Sequence, residues 1–133
     1  MIAARLLQII ASVAALVTVS LGMATYTHAD FTSIHMLFGL MVALSLLVLA
    51  VMAVFTPGLR RLSALGIIYA LLLPIFGVTQ QLILPGDLHW LIETAHLLVG
   101  FGAIAFIGTI STRLLRLRQT ARNVSGPPQL VRE

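Results

Sequence analysis

Phe31-Thr-Ser-Ile-His35-Met-Leu-Phe-Gly39-Leu-Met-Val-Ala-Leu-Ser-Leu-Leu-Val-Leu-Ala-Val-Met-Ala-Val-Phe55 contains no charged residue. A helix that spans a bilayer needs about 20 mostly apolar residues, and this run exceeds that. Three more runs pass the same test: Leu6–Tyr26, Leu62–Leu84 and Leu91–Leu115. Thr56-Pro57-Gly58 and Pro85-Gly86-Asp87 punctuate the second and third joints with turn residues. The first joint, Thr27-His28-Ala29-Asp30, is short, so neighbouring helices should run antiparallel. Asp30 or Thr32 is placed to cap the second helix and Asp87 the fourth.

Composition agrees with this reading. The chain is 59% hydrophobic and 9% charged, with a mean hydropathy of +1.07. A soluble domain carries roughly 25% charged residues. The expectation is an all-α integral membrane protein, a four-helix up-down bundle over residues 1–118, with a flexible polar tail at 119–133. The formal charge of +4 comes with no lysine. The arginines sit at the ends of apolar runs, not on one soluble face, so nucleic acid is not the expected partner. No cysteine is present, which excludes disulfides, thiolate ligands and c-type haem attachment.

Arginine also sets an orientation. Arg5 precedes the first run, Arg60 and Arg61 lie between the second and third, and Arg113, Arg116, Arg118 and Arg122 follow the fourth or close it. The other two joints hold acidic residues and no arginine. The positive-inside rule then puts both termini in the cytoplasm of a prokaryotic cell, with the protein in the cytoplasmic membrane. Tyr26 and Trp90 fall where an outer aromatic belt belongs. Arg5, an apolar run and Thr27-His28-Ala29 also fit a signal peptide. The length of the run and its place in the repeat described next favour a span. Asn123-Val124-Ser125 matches a glycosylation sequon but falls on the inner side.

The span at 31–55 has a partner. His28-Ala-Asp-Phe-Thr-Ser-Ile-His35-Met-Leu-Phe-Gly39 and His89-Trp-Leu-Ile-Glu-Thr-Ala-His96-Leu-Leu-Val-Gly100 share the pattern H-x6-H-x3-G. They account for all 4 histidines of the chain. The same offset pairs Val17-Thr18 with Val78-Thr79 and Ser20 with Gln81. The bundle therefore reads as two repeated helix hairpins about a pseudo-twofold axis along the membrane normal. The second and fourth helices should lie across a diagonal, with His35 and His96 level near the outer end.

Two imidazoles level on two facing helices are what a bis-histidine haem site needs. An intramembrane histidine otherwise needs a polar partner on a neighbouring helix. Gly39 and Gly100, four residues on, share the histidines' helix face and would let a flat ring lie close to the backbone. His28 and His89 lie in or beside loops. They would serve a haem propionate, carry protons, or be solvated loop residues. Glu93 lies one turn before His96 and would act as an acceptor for its ring, as an acid or base, or as a helix N-terminal carboxylate. Methionine and histidine together suit copper, but Met23, Met36, Met41 and Met52 are spaced as core or lipid contacts. The third run is more polar, with Tyr69, Thr79, Gln80 and Gln81, and Pro74 should kink it. Gln80 or Gln81 would face a cofactor or a quinone, or bond a neighbouring helix. The outer joints offer no Lys or Arg to propionates, which counts against haem.

These residues resemble half of a heme A synthase, over roughly Ile34 to Leu117. Ile34-His35-Met36-Leu37-Phe38-Gly39 looks like that family's ligand-helix opening. Phe76-Gly77-Val78-Thr79 looks like its third-helix pattern, and Ala95-His96 with its apolar run and closing arginines looks like its last helix. The resemblance implies haem ligation by His35 and His96. It departs where the family's catalytic half has a glutamate before the second-helix histidine and an arginine after it, since Thr32 and Met36 stand there. The chain thus looks more like the non-catalytic, b-haem half. Small four-helix bacterial membrane proteins without assigned activity are similar too.

The leading expectation is one haem b per chain, held near the outer face for electron transfer, with a quinol among the candidate donors. The alternatives are a heme A synthase-like haem-modifying enzyme, with Glu93 as its acid–base candidate, and a cofactor-free scaffold or assembly protein. The enzyme reading needs a homodimer. The electron-transfer reading also fits a subunit of a larger respiratory-type complex.

Overall fold

A computed structural model describes residues 2–25 and 31–124. Within them lie four long helices, α1 (Ile2–Thr25), α2 (Thr32–Val54), α3 (Arg60–Thr79) and α4 (His89–Val124). A turn of 3-10 helix, Gln80–Leu82, extends α3. The segments Ala4–Ala24, Thr32–Val54, Arg60–Leu82 and His89–Ala121 are each long and apolar enough to cross a membrane.

Several details differ from the sequence expectations. Phe31 holds the N-cap position of α2 and Thr32 is its first helical residue. Asp30 lies outside the described residues. The start of α4 is closed by backbone bonds, His89 N–H to Gly86 O at 2.9 Å and Leu91 N–H to Leu88 O at 3.1 Å. α3 contains Pro74 within its length and passes into the 3-10 turn at Gln80. α4 continues to Val124, past the point where the polar tail was expected to begin. Arginine is a good helix former, so the polar residues after Leu115 extend the helix beyond its apolar stretch. Both later joints turn on glycines in the left-handed region, Gly58 at φ +84 and Gly86 at φ +104. There an L side chain would be strained.

Neighbours are antiparallel. The late α1 residues Thr18 and Gly22 meet His35 at the start of α2. Tyr69 and Gly77 of α3 meet Val99 and His96 of α4. α2 and α4 each pack against all three other helices, while α1 and α3 do not touch. The α2–α4 diagonal is therefore the closed one.

Small residues make that closure. Ala4, Ala11, Ala14 and Ala15 form the buried stripe of α1. Gly66 marks a tight crossing. A Cβ added there would come within 2.9 Å of Ile110 Cδ1 and 3.2 Å of Ala50 Cβ, so three helices meet on its bare backbone. Close backbone approach at small residues is the usual means of packing helices when apolar burial does not discriminate protein from lipid. Buried Ser63 and Ser111 satisfy their hydroxyls on their own helices, at Leu59 O (2.8 Å) and Ile107 O (2.7 Å).

The core fills one end only. Its fully buried residues include Leu46 and Leu49 of α2 and Ile110 and Leu114 of α4, all toward the arginine end. Among the described residues, none in 16–41 or 71–102 is buried. The outer surface is apolar along its length. Leu16 is 70% exposed and Leu98 65%, a surface of a kind that water-soluble monomers rarely present.

Candidate functional site

The half of the bundle without a core is the half that holds the histidines. His35 sits in the first turn of α2, and its amide donates to Phe31 O at 2.8 Å. Its ring is half-buried and turned toward α1. Nδ1 lies 2.9 Å from Thr18 O. A carbonyl oxygen only accepts, so Nδ1 carries the hydrogen, and in the neutral ring Nε2 keeps its lone pair. A metal-ligating histidine ordinarily has this arrangement, with one nitrogen donating to a backbone carbonyl and the other presented to the metal. Gly22 makes room for it: a Cβ there would come within 3.2 Å of His35 Cε1.

His96 enters from α4 at the same level. The two ring centroids are 6.0 Å apart, with planes inclined at 50°. Iron–nitrogen bonds of about 2 Å on each side, plus roughly 1 Å from each nitrogen to its ring centre, put two axial imidazoles about 6 Å apart. The observed separation is compatible with one iron between them. His96 rests on Phe76, centroids 5.8 Å apart, and on Gly77, whose added Cβ would lie 3.6 Å from His96 Cε1. Its Nδ1 is buried and has no hydrogen-bond partner among the described residues.

Gly39 and Gly100 follow one helical turn after His35 and His96. A Cβ on Gly100 would meet nothing within 4 Å, and one on Gly39 only Thr18 Cγ2 at 4.0 Å. A flat ligand beside the histidines would find no side chain at either position. Among the described residues, no three His, Cys, Asp or Glu side chains converge on one point. What the protein brings together is a pair of imidazoles. A pair suits an iron whose remaining four ligands come from a porphyrin.

The other sequence candidates fall less tidily. His28 lies outside the described residues. His89 opens α4 with Nδ1 3.3 Å from Ile83 O, bridging to the segment after α3. Glu93 is half-buried one turn before His96, but it does not bond the His96 Nδ1, which has no partner. Met23 and Met36 are 68% and 53% exposed. Gln80 places a buried Oε1 at this end of the bundle, also without a partner among the described residues. Buried polar atoms are nearly always paired, and each exception calls for a cause.

Three contacts were not read from the sequence. The repeat does not flag Gly22 or Gly77, because their offset equivalents are Ile83 and Leu16. Only the antiparallel course of each hairpin shows that a glycine on the preceding helix would clear space for a histidine ring. The third is Tyr69. Its hydroxyl donates to Val99 O at 2.8 Å, and Gly102 is what lets the ring pass, since a Cβ there would run into that hydroxyl. Tyr69, Leu73, Phe76, Thr79 and Val99 also line a cavity of about 370 Å³ that shares Phe76 with the histidine pair.

No protein-family model, no curated protein and no solved structure matches the chain.

Proposed function

We propose that this chain is an integral membrane protein of two repeated helix hairpins that binds one b-type haem between His35 and His96 and passes electrons near the outer face of the membrane. One observation carries the reading. Two imidazoles lie with ring centroids 6.0 Å apart, a separation compatible with one shared iron, in the end of the bundle where no described residue is buried. Bundles build cofactor sites from inward side chains on facing helices. Native interiors are close-packed, so an end without buried residues suits a bulky apolar guest. The haem would supply reversible one-electron chemistry at its iron. His35 and His96 would hold it, with Gly39 and Gly100 leaving space for the ring.

The repeat rests on the matched sequence pattern around His35 and His96. The resemblance to half of a heme A synthase rests on its quoted motifs. It points to the same two ligands, and an enzyme of that kind is a less favoured reading because Glu93 does not engage the His96 Nδ1. A cofactor-free scaffold draws on one specific fact: 6.0 Å also lies within the 4.5–7 Å of ordinary contact between aromatic rings.

Absorption spectra of detergent-purified protein, oxidised and dithionite-reduced, separate these. Low-spin b-type bands that vanish in the double variant His35→Ala/His96→Ala are expected. A colourless wild type leaves the scaffold standing. Full haem loading of the double variant removes the assignment. Oxygen-dependent conversion of haem o to haem a would favour the enzyme.

A further inference from the structure

The repeat predicts that His35 and His96 are equivalent, and the structure treats them differently. We infer that His96 is the exchangeable ligand and His35 the anchor, so that the reduced iron takes up small neutral ligands such as carbon monoxide on its His96 side. This rests on the haem reading above.

The difference lies in what holds each ring. His35 Nδ1 donates to Thr18 O at 2.9 Å, in mid-helix, with Gly22 closing over Cε1. Offset equivalence would give His96 the carbonyl of Thr79. But α3 ends at Thr79 and the next three residues tighten into the 3-10 turn. His96 Nδ1 is left buried and unpartnered among the described residues. A hydrogen bond to the far nitrogen fixes ring orientation and raises ligand basicity, and its loss typically costs about 10–100-fold in metal affinity. His96 should therefore release the iron more readily than His35 by about that factor.

Space is distributed the same way. His96 leans on Phe76, and Phe76 lines the cavity of about 370 Å³ beside Tyr69 and Val99. A ring leaving the iron would press on Phe76, whose other neighbours include that open space. On the other side His35 is backed by α1. The exchange is a substitution only. The iron–His96 bond breaks, an iron–carbon bond forms, and no electron or proton moves.

The test uses full-length, haem-loaded protein in detergent, reduced with dithionite and exposed to carbon monoxide. Three results are expected. Wild type changes from the low-spin spectrum to a carbonyl spectrum. His96→Ala keeps most of its haem, is high-spin when reduced, and gives the same C–O stretching frequency as wild type, because His35 is the opposite ligand in both. His35→Ala loses at least about 10-fold more haem than His96→Ala, in line with the difference in ring support. A circular dichroism spectrum guards against a variant that has not folded, and the wild-type carbonyl measurement needs no variant at all. A low-spin wild type that carbon monoxide leaves unchanged overturns the inference while the haem reading stands. So does equal haem loss in both variants, or a wild-type C–O frequency that matches His35→Ala instead. A wild type without haem overturns the haem reading, and this inference with it.

Discussion

At the scale of single residues, the bundle depends on missing atoms as much as on present ones. Gly66 touches Ile110 and Ala50 through its bare backbone, with contacts of 2.9 and 3.2 Å awaiting any Cβ. Gly66→Leu should lower thermal stability by about 1–3 kcal/mol or more, since overpacking a filled crossing forces helices apart. Thermal unfolding of the detergent-solubilised protein followed by circular dichroism measures it. An unchanged midpoint would mean that the three helices do not meet there. His89 makes the opposite case. Its ring makes a long 3.3 Å contact to Ile83 O, which ties a helix start to the segment before it. His89→Ala should cost no more than about 0.5–1.5 kcal/mol and leave any haem spectrum in place. Loss of the haem bands in that variant would make His89 a ligand and displace the His35–His96 pairing.

At the scale of helices, the sequence was legible where hydropathy and periodicity decide, and illegible where backbone detail does. Apolar runs located all four helices, to within about five residues at every end except the C-terminal end of α4, which runs on from Leu115 to Val124. The H-x3-G repeat placed His35 and His96 opposite each other, because a short-looped bundle puts alternate helices across a diagonal. The inequivalence of the two histidines was hidden. Thr18 and Thr79 look alike in sequence and make the same hydroxyl bond one turn back, yet one lies within α1 and the other closes α3. Residue type does not report where a helix stops, and here Leu84, at φ 45 just before Pro85, shows how tightly the chain turns after that end. The glycines of the repeat can be tested as elements of a slot. A Cβ on Gly100 meets open space, so Gly100→Leu should fold with the wild-type helix content while its haem loading falls severalfold. Haem per protein, from the pyridine haemochrome, decides it. Full loading of a folded Gly100→Leu protein would place the ring elsewhere.

At the scale of the whole molecule, two asymmetries run along the bundle axis in the same direction. The arginine end is packed around Leu46, Leu49, Ile110 and Leu114, and the histidine end has no buried residue among those described. Charge follows the same division. Arg60 and Arg61 open α3 and Arg113, Arg116 and Arg118 crowd the last part of α4, whereas the joint before α4 carries Asp87 and no arginine. Charge bias of this kind orients a membrane protein, with the arginine end retained in the cytoplasm. The tightly closed end would then face the cytoplasm and the open end would face out, where a redox partner could approach a haem edge without crossing the packed core. Single cysteines can locate both ends, because the chain has none of its own. Asp87→Cys and Pro57→Cys place one thiol in each of the two described joints, both at exposed positions. In intact cells an impermeant maleimide should label position 87 and leave position 57 unlabelled until the membrane is opened. Labelling of position 57 from outside would invert the orientation and put the histidine pair at the cytoplasmic face. Labelling of both positions in intact cells would mean that the α3 segment does not cross the bilayer.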